Sequence, residues 1–171
     1  GKKKGISGLL TSMMGKGSKN IPKDEFEEEV DFMGASLSIS SEGAYGNALK
    51  RYFPRLYEIM ADAVLNPNFL EEEFKKEVDK TLEGLKASEK DVKTAARRVE
   101  SLLTYGKDHP YGEYVSEESV NGIAMTDIEK LYQKKFHAQN AYITIVGDIN
   151  FKTAKNLTQK YIADLYWEYD R

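Results

Sequence analysis

Few side chains in this 171-residue chain are suited to chemistry, and their spacing restricts them further. There are two histidines, His109 and His137, and no cysteine. Disulfides, thiolate zinc sites and cysteine nucleophiles are therefore excluded. Neither histidine has a second histidine or an acidic residue at metal-ligand spacing on one helical face. His109, beside Pro110, reads as loop architecture. A serine nucleophile needs a histidine base and an elbow such as Gly-x-Ser-x-Gly, which the sequence lacks. Gly15-Lys16-Gly17-Ser18 fails as a phosphate loop, because Gly17 separates the lysine from the hydroxyl and the turn follows a helix instead of a strand. A glycine helix stop with a solvated lysine is the simpler reading. Asp148-x-Asn150 begins like a calcium loop, but Lys152 and Ala154 remove the oxygen ligands. Local chemistry alone assigns no enzyme.

The elements that carry these residues follow from periodicity. Ile6, Leu9, Leu10, Met13 and Met14 recur at helical spacing until Gly15 and Gly17. A second helix is expected from Pro22, with Phe26, Val30 and Met33 on one face and Gly34 ending it. Ala35 to Ser41 alternates, Leu37 and Ile39 against Ser36, Ser38 and Ser40, as a half-buried strand does. After Glu42-Gly43, Ala44 to Arg51 reads as its antiparallel partner. Leu56, Ile59, Met60, Ala63 and Val64 predict a helix after Pro54, closed by Asn66-Pro67-Asn68. A long helical stretch carries two apolar stripes, Leu70, Phe74, Val78, Leu82 and Leu85, then Val92, Ala96, Val99 and Leu103. Its Glu-Lys-rich remainder is the solvated face. Gly106 to Gly112 is a loop. Ser116-Glu117-Glu118 begins a short helix, Thr126 is the expected cap of the next, which runs to about Phe136, and Asn150 is the expected cap of a last one carrying Ala154, Leu157, Tyr161 and Leu165. Ala141 to Val146, rich in β-branched residues, predicts a further strand. The expected class is α+β: helices packed on a mostly antiparallel sheet.

A net charge of -3 with 31% charged residues gives no excess of base for nucleic acid. The one basic cluster, Lys2-Lys3-Lys4, reads as a solvated tail. No apolar stretch is long enough to span a bilayer. The length fits one domain. The first residue is Gly and there is no signal peptide, so the segment is expected to be a piece of a longer polypeptide. Compartment stays open, with a bacterial periplasm or cell envelope as a guess.

In their order, these segments resemble the N-terminal domain of the pitrilysin/insulinase-type zinc peptidases, which include the mitochondrial processing peptidases. Met13 and Lys16-Gly17-Ser18 match the end of the family's His-Phe-Leu-Glu-His-Met-x-Phe-Lys-Gly-Thr helix. Phe32-Met33-Gly34-Ala35-Ser36-Leu37-Ser38 resembles the Leu-Gly-Gly-x-x-Asn-Ala entry to its first hairpin. Ala63-Val64-Leu65-Asn66-Pro67, Glu71-Glu72-Glu73-Phe74, Thr81-Leu82-Glu83-Gly84-Leu85, His109-Pro110-Tyr111-Gly112 and Ile145-Val146-Gly147-Asp148 are further markers. The match runs from Gly5 to about Leu165. It implies one domain over residues 1–171, cut at its start and lacking the following half.

The family binds zinc through two histidines one helical turn apart and a distant glutamate, with a further glutamate as general base. Carried over, these positions read Gly8 and Ser12 for the histidines and Thr11 for the base. Glu83 stands at the third-ligand position, where an ordinary glutamate on a charged flank is the commoner reading. The resemblance thus implies a non-catalytic homologue with no catalytic residues, no metal and no cofactor. Such homologues pair with a catalytic paralogue that keeps His-x-x-Glu-His, and an unfolded peptide is a further partner. The family's edge strand takes up extended peptide through its backbone. Here that strand is Ala35, Ser36, Leu37 and Ser38, with Leu37 at the family's Asn position, and a plain structural strand is favoured. The alternatives are a longer zinc peptidase with its active site outside this segment, and a purely structural subunit.

Overall fold

Leu9, Leu10, Met13 and Met14 are all but inaccessible to solvent, because the first helix, α1 (Ile6–Met14), runs through the middle of the packing. The structure, a computed structural model, describes residues 3–106, 109, 111–112, 114–137 and 141–162. The expectations for Lys2, Pro110 and Leu165 lie outside the described residues. Helix α2 (Lys23–Phe32) starts after Pro22 and buries Phe26. Gly34, at φ +56°, turns the chain out of it into β1 (Ser36–Ser40). Strand β2 (Gly43–Asn47) pairs antiparallel with β1, Leu37 opposite Gly46 and Ile39 opposite Ala44. Helices α3 (Phe53–Leu65), α4 (Glu71–Glu89), α5 (Val92–Tyr105), α6 (Glu117–Asn121), α7 (Met125–Lys135) and α8 (Phe151–Tyr161) follow. The fold is α+β: mostly helical, with a small antiparallel hairpin.

Helix α1 packs on α4, α7 and β1, while α3 packs on β2 and α8. The core joins the α1 residues to Leu56, Ile59 and Ala63 of α3, Phe74 of α4, and Val120, Ile123, Met125 and Ile128 around α6 and α7. Helix ends follow local chemistry. Asn150 Oδ1 accepts from the Thr153 N–H at 2.9 Å, and Ser116 Oγ accepts from the Ser119 N–H at 3.2 Å.

Four expectations are corrected. Strand β2 stops at Asn47 instead of Arg51, because a turn closed by the Tyr52 N–H on Leu49 O at 2.8 Å leads into α3. Helix α7 begins at Met125, so Thr126 lies inside it. The side chain that closes its start is Asp127, which accepts from the Ala124 N–H at 2.8 Å. Ala141 to Val146 forms no ladder with any described residue, and Tyr142 and Val146 are almost fully exposed. β-Branched composition expresses a preference for a pleated surface, and a strand forms only where another edge accepts its N–H and C=O groups. Finally, Phe74 of the first long stripe is buried, with Val78, Leu82 and Leu85 packed against the core. The second stripe, on α5, faces outward: Val92 is 81% and Leu103 80% exposed.

Candidate functional site

The positions singled out on α1 are held against two elements, the hairpin and α4. Gly8 is exposed, and a Cβ placed there would meet nothing within 4 Å. Thr11 Oγ1 accepts from the Ser41 backbone N–H at 2.9 Å, which ties α1 to the turn between β1 and β2. The Ser12 hydroxyl lies near the carboxylate of Glu77 on α4 and helps to hold it charged. Glu77 is buried, and its Oε1 lies 2.8 Å from Lys16 Nζ, with Glu73 Oε2 at 3.8 Å from the same ammonium. Burial pushes the Glu77 carboxyl up, but the hydrogen bond and charge of Lys16, with smaller help from Lys80 and Ser12, hold it below its ordinary range.

Glu77 and Lys16 escape a reading for isolated motifs. The available signal is spacing: Glu77 falls between Phe74 and Val78 of an apolar stripe, a place where a carboxylate needs a buried partner. Glu83 lies on the exposed flank of α4. At 100° per residue it points about a third of a turn away from Glu77. One heptad beyond Glu77, on nearly the same face, stands Gly84, again with nothing within 4 Å of a Cβ. No described group of three His, Cys, Asp or Glu residues is arranged to hold a metal ion.

The donor set does not fit zinc of the peptidase kind. Gly8 offers no side chain, the Thr11 hydroxyl is engaged with Ser41, and the two nearby carboxylates, Glu77 and Glu73, already face an ammonium that repels a divalent cation. What this arrangement does is join three elements. The position of the family's general base is occupied by Thr11, whose hydroxyl is a hydrogen-bond acceptor for the Ser41 N–H.

The loop after α1 is equally structural. Gly17 has φ +79°, and a Cβ there would lie 2.6 Å from Ile21 O. Ser18, 1% exposed, accepts from the Asn20 and Ile21 N–H groups at 3.1 and 2.9 Å and donates to Asp62 on α3. Asp62 Oδ1 in turn accepts from Asn20 Nδ2 at 2.6 Å and Asn66 Nδ2 at 2.9 Å. The hydroxyl that a phosphate loop would offer is thus turned into the protein. Lys16, expected to be solvated, is half-buried on Glu77.

His109 Nδ1 accepts from the Tyr111 N–H at 3.2 Å, and its ring stacks on Tyr105 at 5.3 Å. His137 is half-buried just beyond the end of α7. In the hairpin, Ser36 and Ser38 are exposed, and Ala35 and Leu37 are half-buried. No described strand pairs with the outer edge of β1. The Tyr132 hydroxyl donates to Val64 O at 2.8 Å and Leu65 O at 3.0 Å, closing the end of α3.

Comparison with known proteins places this geometry in context. Residues 1–109 match the sequence model of the family described as Insulinase (Peptidase family M16). Subunit 1 of the bovine mitochondrial cytochrome b-c1 complex is 24% identical over 99% of this chain and 36% of its own length. The alpha subunit of the potato mitochondrial-processing peptidase is 25% identical over 84% of the chain and 29% of its own length. The chain spans about a third of the length of these relatives. Among solved structures, a peptidase M16 inactive domain from Pseudomonas fluorescens superposes with a TM-score of 0.82 at 19% identity, over 95% of this chain and 41% of that one. A protease from Helicobacter pylori gives a TM-score of 0.71 at 22% identity, over 94% and 40%.

Proposed function

This chain belongs to the insulinase family of peptidases, peptidase family M16, and from that premise we propose that it is a non-catalytic homologue that works by assembly. The observation that carries the reading is the state of the three motif positions. Gly8 is bare, Thr11 ties α1 to the hairpin, and Ser12 faces a glutamate already balanced by Lys16. The family's chemistry requires two imidazoles and a carboxylate base at these places. Here those places carry packing and hydrogen bonds. The partner is a catalytic paralogue with an intact His-x-x-Glu-His, and the shared substrate is an unfolded peptide.

Within that reading, the Ala35 to Ser38 segment of β1 offers a peptide only its backbone. The unpaired outer edge supports strand addition. Leu37, turned toward the core, supplies no polar side chain to the task.

A purely structural role is the second reading, favoured by the 24% identity to subunit 1 of the mitochondrial cytochrome b-c1 complex. One experiment separates them. The protein is dialysed and assayed for zinc and for cleavage of an unfolded peptide, alone and with a paralogue that carries the intact motif. Expected is well under one equivalent of zinc and no cleavage alone, and cleavage by the paralogue that requires this chain. Stoichiometric zinc lost on Glu83→Gln, or cleavage by the protein alone, overturns the reading. Cleavage by the paralogue that is indifferent to this chain favours the structural role.

A further inference from the structure

Helix α5 is built inside out. Along its length only Thr94, Arg98 and Ser101 are half-buried, and they recur at the spacing of a single face. That inner face is polar. Thr94 Oγ1 donates to Asp91 Oδ2 at 2.8 Å, and Arg98 donates to Ser88 Oγ at 3.0 Å while lying 5.8 Å from the Tyr114 ring. Val92, Ala96, Val99 and Leu103 occupy the opposite side, all exposed. A surface helix ordinarily turns its apolar stripe to the core and its charges to water. Here the order is reversed, so the stripe is a surface awaiting a cover.

The charges beside the stripe indicate which cover fits. At 100° per residue, Lys93, Arg97 and Glu100 all lie along one flank, and the other flank carries only Ala95 and Leu102. Two copies related by a two-fold axis and packed antiparallel bring like flank to like flank. One register sets Val92 opposite Leu103 of the second copy and Ala96 opposite its Val99, so that the small Ala96 makes room for a larger side chain at the centre of the seam. The same register places Glu100 midway between Lys93 and Arg97 of the second copy, and symmetry repeats the arrangement. Parallel pairing sets the charged flank against the uncharged one and leaves Glu100 without a cation. The stripe is therefore complementary to itself in one orientation.

We propose that α5 is a self-association helix, through which a second copy of this chain docks antiparallel in the Val92–Leu103, Ala96–Val99 register. A helix face roughly 21 Å long is at the small end of specific interfaces, so the association is weak and depends on concentration.

Sedimentation equilibrium on the intact protein, from about 5 to 500 μM, tests it. Expected is a reversible monomer–dimer equilibrium within that range. Leu103→Glu and Glu100→Lys each weaken it by about tenfold or more, and adding Lys93→Glu and Arg97→Glu to Glu100→Lys restores it to within about threefold. These side chains are exposed, so the variants are expected to keep the melting temperature of the monomer. Because the chain has no cysteine, register is read by cross-linking. An oxidised mixture of Ala96→Cys and Val99→Cys proteins gives the mixed covalent dimer faster than either protein alone. A monomer at every concentration overturns the proposal, as does a dimer indifferent to the α5 substitutions. Cross-linking fastest between identical positions overturns the antiparallel register. Loss of a different binding partner on Leu103→Glu, with no self-association, also overturns it.

Discussion

Replacing Lys16 by Met removes the cation that faces Glu77 while leaving most of the aliphatic stem in place. The Glu77 side chain is 9% exposed and that of Lys16 18%. After the change the carboxylate keeps the Ser12 hydroxyl and the distant charge of Lys80, but loses its hydrogen-bonded ion partner. Breaking a buried pair from one side costs about 3–5 kcal/mol. Both groups retain some contact with water, so about 2–3 kcal/mol is expected near neutral pH. For a chain of this size that is a fall of about 5–10 °C in Tm. The pH dependence identifies the cause. In the parent protein Glu77 is held below its ordinary value of 4.5. Its contribution is therefore present above the unfolded-state pKa and is lost as pH falls through the lowered folded value. In the variant burial acts almost unopposed and the folded pKa rises above that of the unfolded chain. The variant is then least penalised in acid and loses stability as pH rises through the raised value. The gap between the two proteins should be widest near pH 7 and shrink to under about 1 kcal/mol near pH 4. Thermal melts of both proteins across that range measure it, and Glu77→Gln in the Lys16→Met background should recover part of the loss. A variant melting within about 1 °C of the parent at pH 7, or an equal loss at every pH, would refute the assignment of a buried, charge-balanced Glu77.

Other substitutions probe the remaining links. Thr11→Ala should cost about 0.5–1.5 kcal/mol in denaturant unfolding, since the Ser41 N–H loses its acceptor; no loss means that water replaces the hydroxyl. Gly17→Ala should cost about 2 kcal/mol or more, because φ +79° and the Ile21 carbonyl both oppose a Cβ; a neutral result means that the loop can shift. Burial pushes the Tyr132 hydroxyl up to about 12, so in a spectroscopic titration it should ionise after the exposed tyrosines, and Tyr132→Phe should remove that late step. Gly8→His with Ser12→His puts two imidazoles one turn apart where position 8 has open space. This pair should raise zinc retention on dialysis well above that of the parent protein, and unchanged retention would show that the spacing alone is insufficient.

Much of the fold can be read along the chain because helix periodicity and glycine stops are local properties. Ile6 to Met14 announces α1, Pro22 and Gly34 bracket α2, and the serine alternation marks β1. The loss of the family's two imidazoles is equally legible, since Gly8 has no side chain and Ser12 offers only a hydroxyl, a poor ligand for zinc. The site is a different matter. Glu77 and Lys16 meet across 61 positions of sequence, and nothing local to either says so. The same holds for Ser41 with Thr11 and for Ser18 with Asp62.

The two long stripes make the division plain. Periodicity predicts both Phe74 to Leu85 and Val92 to Leu103 as apolar faces, and both are helical. Only the packing decides that the first turns inward while the second turns out, behind Arg98 and its polar contacts. Ala141 to Val146 teaches the same lesson for strands: composition states a preference, and an available edge fulfils it. By itself the sequence determined most of the helices, the hairpin and the residue types at the motif positions, because backbone propensity and side-chain identity belong to single residues and their near neighbours. The tertiary structure decided which side chains meet and which faces stay open, because burial and charge pairing depend on neighbours that chain order does not specify.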